Sequence, residues 1–282
     1  MRPSALILAA AGLTAAQDAT SNCTDGLYMI VARATGEDPG TGRVGVVANN
    51  VSSSIPDSFI EPIVYPATFA NYSVSEGDGV AAMTAAIRDR VAACPQGKIA
   101  LLGFSQGAQV SADTLCGRDD GTGTAFSETP ELGAEYAESI VAVVMFGDPS
   151  HSVNATFNQG NSTRNGIFAR NNVTACEPFT SKMRSWCDAN DLYCDSGNSS
   201  RVHGSYFNNT AYLADASSFI ISQFNQVDSG VKNDNSTSNS TDTNSTDSST
   251  SSGYSLKVGM GSSQMLSAAF ATACGSLLFL LL

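Results

Sequence analysis

Four short apolar runs, Leu27–Ala32, Ile60–Tyr65, Ile99–Leu102 and Ile140–Phe146, alternate with longer stretches of helical periodicity. Runs of this length with little polar alternation read as strands buried on both faces. The stretches between and after them, Val44–Ile55, Gly79–Ala93, Gln106–Leu115 and Ala211–Gln226, are predicted helices. In the second, Val80, Met83, Ile87 and Val91 recur at helical spacing and mark a stripe facing the core. Strand, helix, strand repetition implies an α/β fold: a three-layer α/β/α sandwich with a central parallel sheet and right-handed crossovers. In such sheets the working groups gather at the carboxyl ends of the strands.

One strand end carries a nucleophile pattern. After Ile99–Leu102 come Gly103-Phe104-Ser105-Gln106-Gly107, and a helix is predicted to follow. Glycines on both sides permit a tight strand-to-helix turn that exposes the Ser105 hydroxyl. The helix start adds a positive dipole end and free backbone N–H groups where an oxyanion would form. A serine hydroxyl needs a base, usually histidine, and the chain has 2 histidines. His151 follows Phe146-Gly147-Asp148-Pro149-Ser150, and His203 lies on a late loop before the final helix. In hydrolases of this layered type the order along the chain is Ser, acid, His. That order selects His203 and leaves His151 as a polar residue near the rim. Between Ser105 and His203, the segment Trp186-Cys187-Asp188-Ala189-Asn190-Asp191-Leu192-Tyr193-Cys194 presents two carboxylates between two cysteines. A disulfide closing this loop would hold an orienting acid rigidly. Spacing alone does not choose between Asp188 and Asp191.

Gly103-Phe104-Ser105-Gln106-Gly107, Phe146-Gly147-Asp148-Pro149, the Cys187 to Cys194 loop and the following His203 resemble the fungal cutinase and acetylxylan esterase family, across about Cys23 to Gln226. The resemblance implies a cutinase-like α/β hydrolase with Ser105 as nucleophile, His203 as base and the later loop carboxylate, Asp191, as acid. It implies an oxyanion hole from the Gln106 backbone N–H and from Thr35 in the loop after the first strand. It pairs Cys187 with Cys194 and Cys23 with Cys94, leaving Cys116 with Cys176. The Cys-Asp-x-x-Asp-x-Tyr-Cys loop and the Ala-Arg-x-Thr loop look closer to acetylxylan esterases than to cutinases. The expected substrate is therefore an acetyl or short-acyl ester on a plant cell-wall polymer, or a small ester. A cutinase acting on aliphatic polyester is the alternative, and a non-catalytic wall or adhesion glycoprotein on the same fold is the rival from another class. No cofactor is expected, and the monomer is the expected state.

The ends set the cellular context. Residues 1–16, with Arg2, an apolar stretch from Ala5 to Leu13 and small residues before the cut, read as a signal peptide too short to span a bilayer. Residues 17–227 form the expected domain, long enough for one sizeable core. Residues 228–253 are almost entirely Ser, Thr, Asn, Asp and Gly and read as a disordered, glycosylated stalk. Residues 254–282, a polar spacer followed by the apolar tail Met265–Leu282, read as a GPI-anchor signal that is removed, with Ser251 as the attachment site and the lipid as partner. Asn-x-Ser/Thr acceptors stand at Asn22, Asn50, Asn71, Asn154, Asn161, Asn172, Asn198 and Asn208, with more in the stalk. The six cysteines before the tail suggest three disulfides and an extracellular location, and Cys274 lies in the tail. No Cys-x-x-Cys or His cluster offers a metal site. A net charge of −12 argues against nucleic acid as a partner.

Overall fold

The computed structural model describes residues 23–118 and 126–236. The residues read as a signal peptide (1–16), Ser251 and the segment 254–282 lie outside these residues. Within them six parallel strands form one sheet: β1 (Leu27–Ala32), β2 (Phe59–Pro62), β3 (Lys98–Phe104), β4 (Ile140–Phe146), β5 (Asn158–Gly160) and β6 (Met183–Cys187). Their order is β2-β1-β3-β4-β6-β5, so β1, β3, β4 and β6 are interior. The helices are α1 (Gly45–Ser54), α2 (Tyr72–Ala93), α3 (Gln106–Cys116), the single turn α4 (Ser200–His203) and α5 (Thr210–Ser236).

The side chains of each interior strand alternate between two cores. Met29, Val31, Leu102 and Phe104 point to one face, where Val44 just before α1, Val47 and Val51 of α1, and Ala216 and Ile220 of α5 cover them. Ile30, Ala32, Ile99 and Leu101 point to the other, against Val80, Met83 and Ile87 of α2 and Val110 and Leu115 of α3. This two-sided burial is the physical reason β1 and β4 carry no charged residue and β3 carries one only at its start, Lys98. The observed architecture is the three-layer sandwich expected from the alternation of runs.

Four details differ from the sequence reading. β2 is an edge strand, half exposed rather than buried on both faces; Pro62 is tolerated there because the bond to Val31 comes from the Ile63 N–H (3.0 Å), so the missing proline N–H falls on the unpaired side. α2 starts at Tyr72, earlier than the Gly79 read from the apolar stripe. Its first two turns hold Ser73, Ser75, Gly77 and Gly79, poor helix formers, and tertiary packing overrides that weak propensity. A Cβ on Gly79 would lie 2.6 Å from a Val110 methyl, so the glycine admits the close approach of α2 to α3. β5 and β6 were not anticipated, because Asn-Gln-Gly is short and polar and Met-Arg-Ser-Trp-Cys shows no clean period. α5 also continues past Val227 to Ser236, overlapping the start of the segment read as a stalk.

Disulfides join Cys23 to Cys94, Cys116 to Cys176 and Cys187 to Cys194. The first ties the chain before β1 to the end of α2, and the second ties the end of α3 to the segment before β6. Ile87 is fully buried between α2 and the sheet. Ile87→Ala is expected to lower unfolding free energy by about 2–5 kcal/mol, measured by urea denaturation, with no change in the slope of the transition.

Candidate active site

The carboxyl ends of β1, β3, β4 and β6 converge on one spot. β3 delivers the chain to Ser105, which sits at φ 54° and ψ −120° before α3 begins at Gln106. An L residue adopts that conformation only under constraint, and the constraint is close backbone passage. A Cβ on Gly103 would lie 2.3 Å from the Gly107 carbonyl oxygen, and a Cβ on Gly107 would lie 2.1 Å from the Ala32 carbonyl oxygen. Both glycines of the pattern are thus needed for space. The Ser105 N–H donates to the Phe146 carbonyl (2.9 Å), which ties the turn to β4.

The Ser105 hydroxyl lies 2.9 Å from His203 Nε2. His203 Nδ1 lies 2.9 Å from Asp191 Oδ2 and 3.0 Å from Oδ1. A carboxylate can only accept, so Nδ1 carries the proton and Nε2 is free to accept from the serine. The imidazole stacks on Phe104 and meets the edge of Tyr193. Gly147, at φ 58°, makes room for it, since a Cβ there would lie 2.8 Å from His203 Cε1. Asp148 of the same run is turned away and accepts from the Ser150 N–H (2.7 Å) and hydroxyl.

Asp191 has no exposed surface. Burial alone would raise its pKa, but hydrogen bonds and charge from His203, the Tyr206 hydroxyl (2.7 Å) and the Tyr193 N–H (2.7 Å) outweigh it and hold the carboxyl below its ordinary value. The Cys194 N–H adds a further bond (3.0 Å). Asp188 faces elsewhere and accepts from the Tyr212 hydroxyl at 2.7 Å. The structure therefore brings Asp191, not Asp188, to His203. His151 is buried, its ring nitrogens have no hydrogen-bond partner among the described residues, and burial lowers its pKa. The serine's imidazole partner is His203.

The loop bearing Asp191 is fixed by more than the Cys187–Cys194 bridge. Asp195 accepts from the Ser162 hydroxyl (2.5 Å), the Arg164 guanidinium (2.7 Å) and the Asn190 N–H (2.7 Å). Ser199 caps α4 by accepting from the Val202 N–H, which sets the turn that ends at His203.

The family model described as Cutinase matches residues 22–224. The chain belongs to the cutinase family. Cutinase 11 of Verticillium dahliae is 34% identical over 216 residues, covering 73% of this chain and 72% of that protein. Acetylxylan esterase of Hypocrea jecorina is 35% identical over 205 residues, covering 70% of this chain and 67% of its own. Among solved structures, the catalytic core domain of acetyl xylan esterase from Trichoderma reesei matches with a TM-score of 0.65 and 35% identity, over 71% of this chain and 99% of that one.

Beside Ser105 this cutinase-family domain has a cavity of about 180 Å³, lined by Thr35, Phe69, Tyr72, Pro149, Ile167, Phe168 and Tyr193. The lining is apolar except for Thr35, Ser105 and the tyrosine hydroxyls. Thr35 Oγ1 is buried and has no hydrogen-bond partner among the described residues. The Gln106 N–H is the first amide of α3, where no intrahelical acceptor exists. The Gln106 side chain is anchored away from the serine, accepting from the Ser75 hydroxyl and donating to the Thr68 carbonyl. A larger cavity of about 610 Å³, near Arg118 and Arg170, includes neither Ser105 nor His203 in its lining.

Sequence reasoning missed Tyr206 and Asp195, because neither belongs to a motif and both act through partners distant in sequence. Tyr206→Phe removes one donor to Asp191 and is expected to reduce ester turnover about tenfold, with little change in KM, measured by steady-state kinetics. Burial would raise Asp195, but its partners draw it from an ordinary 3.8 down to about 2. The unfolded chain therefore takes up this proton first as the pH falls, so the stability Asp195 contributes is present above pH 3.8 and lost toward pH 2. Acid unfolding of Asp195→Asn should show a shallower loss of stability through that window.

Proposed function

We propose that this chain is a secreted serine esterase in which Ser105 is the nucleophile, His203 the general base and acid, and Asp191 the residue that orients and balances the imidazole. The observation that carries this reading is the unbroken hydrogen-bonded series from Ser105 Oγ through His203 to Asp191 beside an apolar cavity. His203 Nε2 takes the hydroxyl proton as Ser105 Oγ bonds to the ester carbonyl carbon. The negative charge on the carbonyl oxygen is met by the Gln106 N–H and by Thr35, whose buried, unpartnered hydroxyl is a donor in waiting. The imidazolium then gives its proton to the leaving alcohol. A water, deprotonated by the same nitrogen, releases the acyl group as a carboxylic acid. No cofactor enters this sequence.

The cavity supports a short acyl group. Its 180 Å³ lies below the roughly 300–1,000 Å³ of sites for drug-sized ligands, which fits acetyl esters of a plant polysaccharide whose chain stays outside. Phe69 and Ile167, 65% and 43% exposed at the rim, favour instead a longer aliphatic ester lying across the surface. Relatives bearing cutinase and acetylxylan esterase names do not favour a non-catalytic wall component.

Three disulfides suit an oxidising extracellular setting. Asn50, Asn71, Asn154, Asn161, Asn172, Asn198 and Asn208 are all exposed, as glycan acceptors must be. The anchor at Ser251 and the stalk complete a surface-displayed enzyme.

A fluorophosphonate probe should label the wild-type protein and leave Ser105→Ala unlabelled, with the variant losing hydrolysis of p-nitrophenyl acetate. Labelling of the variant, or its retained turnover, overturns the nucleophile assignment. Across p-nitrophenyl esters of rising length, kcat/KM is expected to peak between acetate and butyrate. A peak well above butyrate would move the substrate to aliphatic polyester.

A further inference from the structure

We propose that Glu37 and Arg43 are positioning residues that lock the loop bearing Thr35 to the end of α4, where His203 stands, an inference that rests on the esterase reading above. Thr35 stands on the turn after β1, and a donor aimed at a developing oxyanion is effective only if held in place. Its own hydroxyl has no partner to hold it. Beside the backbone bonds of Gly36 N–H to the Ala67 carbonyl (2.8 Å) and Glu37 N–H to the Ala34 carbonyl (3.2 Å), the turn is tied by the Glu37 carboxylate. Glu37 Oε2 accepts from the Ala34 N–H at 2.7 Å, one residue before Thr35. Glu37 Oε1 accepts from the Arg43 N–H at 3.1 Å and from Arg43 Nε at 3.0 Å. One side chain thereby closes the chain from Ala34 to Arg43 on itself.

Two further features suit this closure. A Cβ on Gly42 would lie 2.0 Å from Glu37 Oε2, so the glycine admits the carboxylate. The near side of the loop is fixed separately: Arg33, which is buried, donates from Nε to the Glu37 carbonyl (3.0 Å) and from Nη2 to the Tyr65 carbonyl (2.7 Å).

Arg43 carries the link onward. Its Nη1 donates to the carbonyl of Gly204, the residue after His203, at 3.1 Å. Its guanidinium lies 4.8 Å from the centroid of Phe104, and that ring stacks on the His203 imidazole. The two segments are far apart in sequence, and this relay joins them across the residue that precedes Ser105. The Arg43 side chain is half exposed, so the ion pair itself adds little stability. Its consequence lies in geometry: a shift of the Thr35 loop of about 1 Å would cost catalysis far more than folding.

The test combines single variants and a double-mutant cycle on p-nitrophenyl acetate hydrolysis by the mature, glycosylated protein. In Glu37→Gln the amide nitrogen would face N–H donors, and kcat is expected to fall about 10- to 100-fold with little change in KM. Arg43→Lys keeps the charge and loses the fork, and should show a smaller fall in kcat. Because the effect runs through Thr35, Glu37→Gln should cost little more once Thr35→Ala is present. Wild-type kcat in Glu37→Gln, or a multiplicative loss in the double variant, would overturn the proposal. So would a lowered melting temperature with kcat unchanged. Should Glu37→Gln fail to fold, Arg43→Lys and Arg43→Met carry the same cycle with Thr35→Ala. Ser105→Ala separates the two ideas: if it abolishes turnover while the Glu37 and Arg43 variants stay normal, only the relay fails, and if it retains turnover the esterase reading fails first.

Discussion

The site depends on a contact between backbones. At the end of β3 the chain turns so sharply that Gly107 sits against the Ala32 carbonyl and Gly103 against Gly107, distances that no side chain allows. That passage forces Ser105 into a left-handed conformation, a strain of roughly 1–3 kcal/mol that the surrounding structure must sustain. It is sustained because β3 is flanked by β1 and β4 and because the Ser105 N–H is bound to Phe146. The same geometry presents the first amides of α3 beside the serine hydroxyl. The serine hydroxyl and the free amide of Gln106 thus arise from a single turn.

Burial of charge organises the rest. Asp191 lies in a dry environment, where an ionised carboxylate is unfavourable unless donors surround it, and a disulfide, two backbone amides, a tyrosine and the imidazole all converge there. A second buried acidic group stands behind the cavity. Asp113 pairs with Arg118 and Arg170, while burial and the neighbouring Asp113 push Glu76 well above the ordinary carboxyl range. Tyr72, which lines the cavity, donates to Gln109 (3.0 Å), and Gln109 donates in turn to Asp113. The apolar wall beside Ser105 is therefore backed by a polar, hydrogen-bonded layer between α2 and α3.

Much of this was legible in the chain, though unevenly. Interior strands β1 and β4 were marked to the residue by unbroken apolar runs, since burial on both faces leaves no polar position. β2 was marked less well because edge strands relax that rule, and β5 and β6 not at all because neither is long or periodic. The turn at Ser105 was visible because its requirement, glycine on both sides, is local. Glu37, Arg43, Asp195 and Tyr206 left no signal, because each acts on a partner that only the fold supplies.

The sequence by itself determined the layering and the tight turn that carries Ser105. Both follow from short-range rules, periodicity in one case and steric freedom in the other. Family resemblance pointed to Asp191, but only the tertiary structure gives the physical reason that Asp191 rather than Asp188 meets His203. Spacing within the cysteine loop leaves both available, and the choice falls to two tyrosines beyond it: Tyr212 draws Asp188 toward α5, and Tyr206 holds Asp191 beneath the imidazole. Where those hydroxyls lie depends on how the last helices dock on the sheet, a long-range packing outcome that no local pattern encodes.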